Sequence, residues 1–166
     1  MTVNIIVAYC KGNGIGKNNT LPWYIPQDLK HFSKLTKGNN NNMVVMGRKT
    51  WESLPNKPLA NRFNAIVTTT LSMDTNHIKT FKSFEDVLQF SREKEFSNVW
   101  IMGGEQIYKT ALEQGVVDEI HATVIDEEYD CDTFFPECLQ SEYTLCLERD
   151  IGEKIKYSIF RKNINI

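Results

Sequence analysis

The chain has no apolar run near the roughly 20 residues that cross a bilayer. Its first segment, Met1-Thr2-Val3-Asn4-Ile5-Ile6-Val7, lacks a charged n-region and a small-residue cleavage site. That start reads as a first strand, and the cytoplasm is the expected location. Four cysteines, Cys10, Cys131, Cys138 and Cys146, show no Cys-x-x-Cys spacing, and three histidines lie scattered. A zinc site is therefore not expected, and the thiols are expected to be free in a reducing compartment. Strong charge of either sign is missing too. The net charge of −2 gives no electrostatic case for nucleic acid or an anionic membrane. There is no internal repeat, low-complexity linker or second core. Gly-x-Ser-x-Gly, a phosphate-loop lysine and a metal-binding His pair are all absent. No exposed apolar stripe is evident, so a monomer is expected.

What remains is one domain over 1–166. With 41% hydrophobic and 24% charged residues, the chain should fold rather than stay disordered. Val3 to Ala8 is a continuous apolar, β-branched run, as in a strand covered on both faces. Met43 to Met46, Ala65 to Thr69, Val99 to Met102 and Ile120 to Ile125 read the same way, and His77 to Phe81 reads as an edge strand. Helices are expected from Pro26 to about Gly38, over Arg48 to Leu54, after Ser83 toward Phe96, and over Glu105 to Leu112. Tyr143 to Arg149 and Lys154 to Arg161 alternate apolar and polar residues about Gly152, as in a terminal antiparallel hairpin. Strands alternating with helices imply a mainly parallel α/β sheet with right-handed crossovers.

The stretch Gly14 to Phe32 runs from a glycine-punctuated loop into the first helix. At about 100° per residue, Leu29, Phe32 and Leu35 share the apolar face of that helix. Asp28 falls on the edge of this face. It is either a first-turn aspartate that complements the helix dipole or a carboxylate kept for chemistry. His31 lies on the flank and reads as solvated. Trp23 and Phe32 suit a core or a stacked ligand, and Arg62 alone reads as a surface charge. Two strand-to-helix turns, Gly47-Arg48-Lys49-Thr50 and Met102-Gly103-Gly104-Glu105, leave backbone N–H groups open at helix starts. In an open parallel sheet, ligands bind at the carboxyl ends of the strands.

Together these pieces resemble dihydrofolate reductase over Ile5 to about Phe160. The resemblance rests on Gly14-Ile15-Gly16 with Leu21-Pro22-Trp23, Pro26-x-Asp28-Leu29-x-x-Phe32, and Met46 to Ser53. Gly103-Gly104-x-x-Ile107-Tyr108 and Asp132-Thr133-x-Phe135-Pro136 complete it. It implies NADPH-dependent reduction of dihydrofolate on a single-domain, eight-stranded, mainly parallel sheet with an antiparallel C-terminal hairpin and four flanking helices. It implies that Asp28 pairs with the pterin and that Thr123 hydrogen-bonds this acid. Leu21 and Trp23 are implied in catalysis, in a mobile loop over Gly14 to Tyr24. Ile6, Val7, Leu29, Phe32, Leu54, Leu59 and Met102 fall to the substrate pocket, with Ile6 and Met102 acting through their carbonyls. Arg62 would hold the substrate's α-carboxylate. Ala8, Ile15, Gly16, Gly104 and Tyr108 are implied around the nicotinamide, with Met102, Gly103 and Ile107 nearby. Gly47, Arg48, Lys49 and Thr50 match the cofactor-phosphate turn, and Thr68 and Thr69 the adenosine side. Glu105 replaces a residue that is often small. Gln106 and Thr69 stand where a basic residue can occur. The competing readings are a same-fold reductase of another heterocycle, such as the pyrimidine reductase of riboflavin synthesis, and a non-catalytic nucleotide- or folate-binding module.

Overall fold

Apolar β-branched segments separated by amphipathic helices build one eight-stranded sheet in the computed structural model, which describes residues 1–137 and 139–164. The strands are β1 (Thr2–Tyr9), β2 (Gly14–Gly16), β3 (Asn42–Gly47), β4 (Phe63–Val67), β5 (Ile78–Phe81), β6 (Asn98–Ile101), β7 (Glu119–Ile125), β8 (Thr133–Phe134), β9 (Tyr143–Gly152) and β10 (Ile155–Lys162). The helices are α1 (Pro26–Lys37), α2 (Arg48–Ser53), α3 (Phe84–Glu93), α4 (Glu105–Glu113) and a short α5 (Leu139–Glu142). The sheet order is β5-β4-β3-β6-β1-β7-β10-β9. Pairing is parallel from β5 to β7 and antiparallel for β7–β10 and β10–β9. The chain thus passes from β1 outward to β5, and β6 then inserts between β3 and β1. That reversal opens a crevice at the strand ends.

Side chains alternate across the sheet, so neighbouring residues of one strand feed different cores. Ile5 and Val7 of β1 join the layer covered by α3 and α4, which includes Val87, Leu88, Ala111 and Leu112. Ile6 faces the other way, into Val44, Met46, Trp51, Ile66 and Trp100, where Phe32 and Leu35 of α1 pack. Ser83 caps α3 by accepting the Asp86 N–H at 3.2 Å. Gly38 ends α1 at φ 49°, a left-handed position that glycine tolerates.

Several boundaries differ from the sequence expectation. β4 stops at Val67, so Thr68 and Thr69 lie beyond the strand, and α3 stops at Glu93 short of Phe96. On α1 the inward stripe is Asp28, Phe32, Leu35 and Thr36, while Leu29 is 46% exposed and Thr36 is fully buried. Residues 28, 32 and 36 lie one helical turn apart each, whereas Leu29 is about 100° round from Asp28. Thr36 tolerates burial because its hydroxyl donates to the Phe32 carbonyl at 2.7 Å and accepts from Arg62 Nη1 at 3.0 Å. The antiparallel β2–β8 ribbon goes beyond the sequence reading, since three- and two-residue strands carry no usable period.

Candidate active site

Asp28 enters the crevice from the first turn of α1, and Thr123 meets it from β7. The Thr123 hydroxyl donates to Asp28 Oδ1 at 2.6 Å. Burial pushes the Asp28 carboxyl above its ordinary range, against the opposing pull of the Thr123 hydrogen bond and of His31. Among the described residues, no hydrogen-bond donor meets the other carboxylate oxygen. Ala8 of β1 lies beside Thr123 in the parallel register.

His31 corrects the sequence expectation. It is half-buried, its ring stands edge-on to Tyr157 at 4.2 Å, and its buried Nε2 has no partner among the described residues. Burial holds its pKa below the usual histidine value. Behind it, His121 is 7% exposed, with Nδ1 2.5 Å from the Tyr157 hydroxyl and Nε2 3.0 Å from Glu119. Sequence reading missed this group. The signal was present in the alternation of β7 and β10, which sets Tyr157 opposite Thr123.

Ile6, Phe32, Leu54, Leu59 and Met102 come together in one apolar cluster beside Asp28's helix. Phe32, Leu54, Leu59 and Met102 are only half-buried, so the cluster has an open rim. Val7 does not join it, because its side chain lies in the opposite layer. The Ile6 carbonyl already accepts from the Tyr108 hydroxyl at 2.8 Å. Arg62 is 8% exposed, not a surface charge. Its Nε donates to the Ala60 carbonyl at 2.8 Å, its Nη1 to Thr36, and its guanidinium lies 6.0 Å from the Phe32 ring centre. A groove of about 830 Å³ passes Leu59 and Arg62 at the opposite strand ends, lined also by Asn42, Phe63 and His77. It includes neither Asp28 nor Thr123, and it adjoins the candidate site only through Leu59 and Arg62.

The two glycine turns are joined directly: Gly47 N–H donates to the Gly103 carbonyl at 2.9 Å. Ile107 lies over Gly47, where a Cβ would stand 3.5 Å from its Cγ1, and the Gly103–Gly104 peptide is cis. Gly103 has φ 114°, a conformation that glycine alone adopts without strain, and a Cβ there would crowd the Tyr108 hydroxyl at 3.2 Å. Both α2 and α4 start without a side-chain cap. A Cβ on Gly104 would meet only Thr50 Oγ1, at 3.7 Å, which leaves the space over this turn unfilled by protein. Arg48 is not free. Its Nη1 lies 3.0 Å from both Glu52 oxygens in an exposed ion pair. Lys49, Thr69 and Gln106 are exposed, and Thr68 is buried with its hydroxyl 3.2 Å from Thr70 Oγ1.

Trp23 is buried at 8% exposure and packs on Tyr129, and its indole N–H has no partner among the described residues. Leu21 is 53% exposed. Ile15 and Gly16 lie in β2. Glu105 accepts the Phe134 N–H at 2.7 Å, which ties the start of α4 to the β2–β8 ribbon. Among the described residues, no cluster of His, Cys, Asp and Glu could hold a metal ion, and no helix is long and apolar enough to cross a membrane.

A family model described as "Dihydrofolate reductase" matches residues 2–163. The chain belongs to the dihydrofolate reductase family. The dihydrofolate reductase of Schistosoma mansoni is 40% identical over 146 residues, covering 82% of this chain and 78% of that protein. That of Staphylococcus aureus is 39% identical over 136 residues, covering 82% and 79%. The bifunctional dihydrofolate reductase-thymidylate synthase 2 of Arabidopsis thaliana is 39% identical over 155 residues. That match covers 86% of this chain but 27% of the plant protein's length. The sheet order, the four longer helices and the antiparallel C-terminal strands are those of the dihydrofolate reductase family fold.

Proposed function

We propose that this protein reduces 7,8-dihydrofolate to tetrahydrofolate with NADPH, by hydride transfer to pterin C6 and protonation at N5. That product feeds one-carbon metabolism and thymidylate synthesis. The observation that carries the proposal is the Thr123–Asp28 hydrogen bond at the edge of an apolar cluster with an open rim. A carboxylate with one oxygen fixed and the other unpaired suits the adjacent N–H donors of a pterin, N3 and the 2-amino group. Phe32, Leu54, Leu59 and Met102 offer apolar surface to the rings, with Leu29 at the rim. Arg62 keeps N–H groups beyond its bonds to Ala60 and Thr36, and these suit the α-carboxylate of a glutamate tail.

The residues present fit a dinucleotide. Two uncapped helix starts, coupled through Gly47 and Gly103, offer N–H groups to phosphates, and the space over Gly104 is left by protein. Arg48, Lys49, Thr50 and Gln106 would hold the phosphates, and Thr68 and Thr69 the adenosine side. Ala8, Ile15, Gly16, Gly104 and Tyr108 would surround the nicotinamide, backed by Ile107. When bound, NADPH supplies the hydride. Asp28 orients and polarises the pterin, while water provides the proton at N5. The Gly14–Tyr24 loop, carrying Leu21 and Trp23, limits how much water reaches that atom.

Turnover is measured by the loss of reduced-nicotinamide absorbance with dihydrofolate. Turnover with NADPH, and much lower kcat/KM with NADH, is the expected outcome. Binding of both ligands without oxidation of NADPH would make the protein a binding module. Turnover confined to an aminopyrimidine would make it a reductase of another heterocycle.

A further inference from the structure

Two thiols meet beneath the glycine loop. Cys10 follows β1, Cys131 lies between β7 and β8, and their Sγ atoms are 3.9 Å apart although 121 residues separate them. Cys10 is buried and Cys131 is half-buried, so one sulfur is shielded and the other can be reached. Gly14 covers the pair. A Cβ at this position would stand 2.5 Å from Cys131 Sγ and 3.0 Å from Cys10 Sγ. The φ of Gly14 is −65°, which any residue adopts, so glycine is needed here for space over the sulfurs.

The pair also sits at the root of the β2–β8 ribbon. Cys10 N–H donates to the Gly14 carbonyl at 3.0 Å, and Asp132 N–H donates to the Gly16 carbonyl at 2.9 Å. Asn18 N–H reaches Asp132 Oδ2 at 3.0 Å, and Phe135 N–H reaches the Asn13 carbonyl at 2.8 Å. Trp23, Ile125 and Tyr129 pack around the sulfurs. The segments that carry the thiols thus anchor one end of the ribbon, and Glu105 of α4 ties it at Phe134. Burial and the adjacent thiol push the Cys131 pKa above its ordinary value, so the sulfur rests as a neutral thiol at neutral pH and reacts through its minor thiolate form.

We propose that Cys10 and Cys131 form a redox-sensitive pair whose disulfide pins the β2–β8 ribbon and slows the reductase. The oxidant is a small-molecule disulfide. Cys131 thiolate attacks one of its sulfurs and expels one small thiolate, leaving a mixed disulfide. Cys10 then attacks the Cys131 sulfur and expels the second. The protein loses two thiol protons and two electrons, and the small disulfide leaves as two thiols. An ordinary S–S bond is about 2.05 Å, so the two sulfurs must approach by roughly 2 Å. The kinetic consequence rests on the reading that this loop closes over the reacting ring.

The test uses the full chain with Cys138→Ser and Cys146→Ser, treated with glutathione disulfide. The expected result is a mass loss of about 2 Da and a peptide joining Cys10 to Cys131. Turnover should fall roughly five-fold or more and return with dithiothreitol. Cys131→Ser in the same background should keep its turnover under glutathione disulfide. Absence of the joined peptide overturns the proposal, and so does a cross-linked protein that turns over like the reduced one. If the reduced protein shows no turnover at all, the assignment of the reaction fails instead. Tryptic cleavage at Lys11 and Lys17 then decides the present point: slower cleavage after cross-linking supports the pinned ribbon, and unchanged cleavage overturns it.

Discussion

The two faces of the sheet are built to different standards of completion. On the α3/α4 side, Ile5, Val87, Val99, Ile101, Ala111 and Val117 are fully buried in a layer that is nearly all hydrocarbon. Two of its hydroxyls are paired with carbonyls: Tyr108 donates to Ile6, and Tyr143 to Val117. On the α1/α2 side, the buried residues Val44, Met46, Ile66 and Trp100 are fringed by half-buried Phe32, Leu54, Leu59 and Met102. Polar groups interrupt that face as well, in Asp28, Thr36, Arg62 and Asn64. The first face is closed by the chain itself. The second stops short and leaves a carboxylate with a raised pKa at its edge. Unfinished packing with an expensive polar group is the physical mark of a ligand site.

Substitutions in the closed layer should damage folding alone, and substitutions on the open face should damage function first. Phe84→Ala, on the closed side, should cost about 3–5 kcal/mol in denaturant unfolding with kcat per folded molecule unchanged. Asp28→Asn should lower turnover at pH 7 by about a hundred-fold or more while folate binding persists. Arg62→Lys should raise KM for dihydrofolate by about ten-fold and leave kcat nearly intact, because an ammonium cannot form the paired bonds of a guanidinium. Glu52→Gln should be smallest. Releasing Arg48 from its exposed pair should lower KM for NADPH by about two-fold and change stability by less than about 0.5 kcal/mol. Equal losses of stability and activity in every variant would erase the contrast between the faces.

Most of the sheet was legible because its strands are short apolar runs bounded by glycines and polar loops. Gly38, Ser83 and Gly104 each stand where a helix boundary was expected. The C-terminal hairpin was legible from its period of two. Site geometry was legible only in part. Arg62 reads as a surface charge until Thr36 and the Ala60 carbonyl, brought close by folding, bury it. His31 reads as solvated until Tyr157, 126 positions later in the sequence, covers its ring. Cys10 and Cys131 show no spacing signal, since their proximity comes from the β2–β8 ribbon. Leu29 misled because an apolar residue on a helix was assigned to the inward face, whereas this one is 46% exposed. Local pattern reports which residues can be buried. Long-range pairing decides which of them are.

The central claim is that Asp28 is kept for a ligand against the interest of the fold. The most direct measurement is the denaturant midpoint of the natural protein and of Asp28→Asn across pH. Burial raises the folded-state pKa of Asp28 above its unfolded value, so its ionised form weakens the fold at neutral pH. That penalty is relieved as pH falls through the raised pKa. Asp28→Asn should therefore be as stable as the natural protein or more stable at pH 7, and the natural protein should gain on it as the solution is acidified. A variant less stable at pH 7, with the difference narrowing toward acid pH, would show that ionised Asp28 supports the fold and would contradict the account.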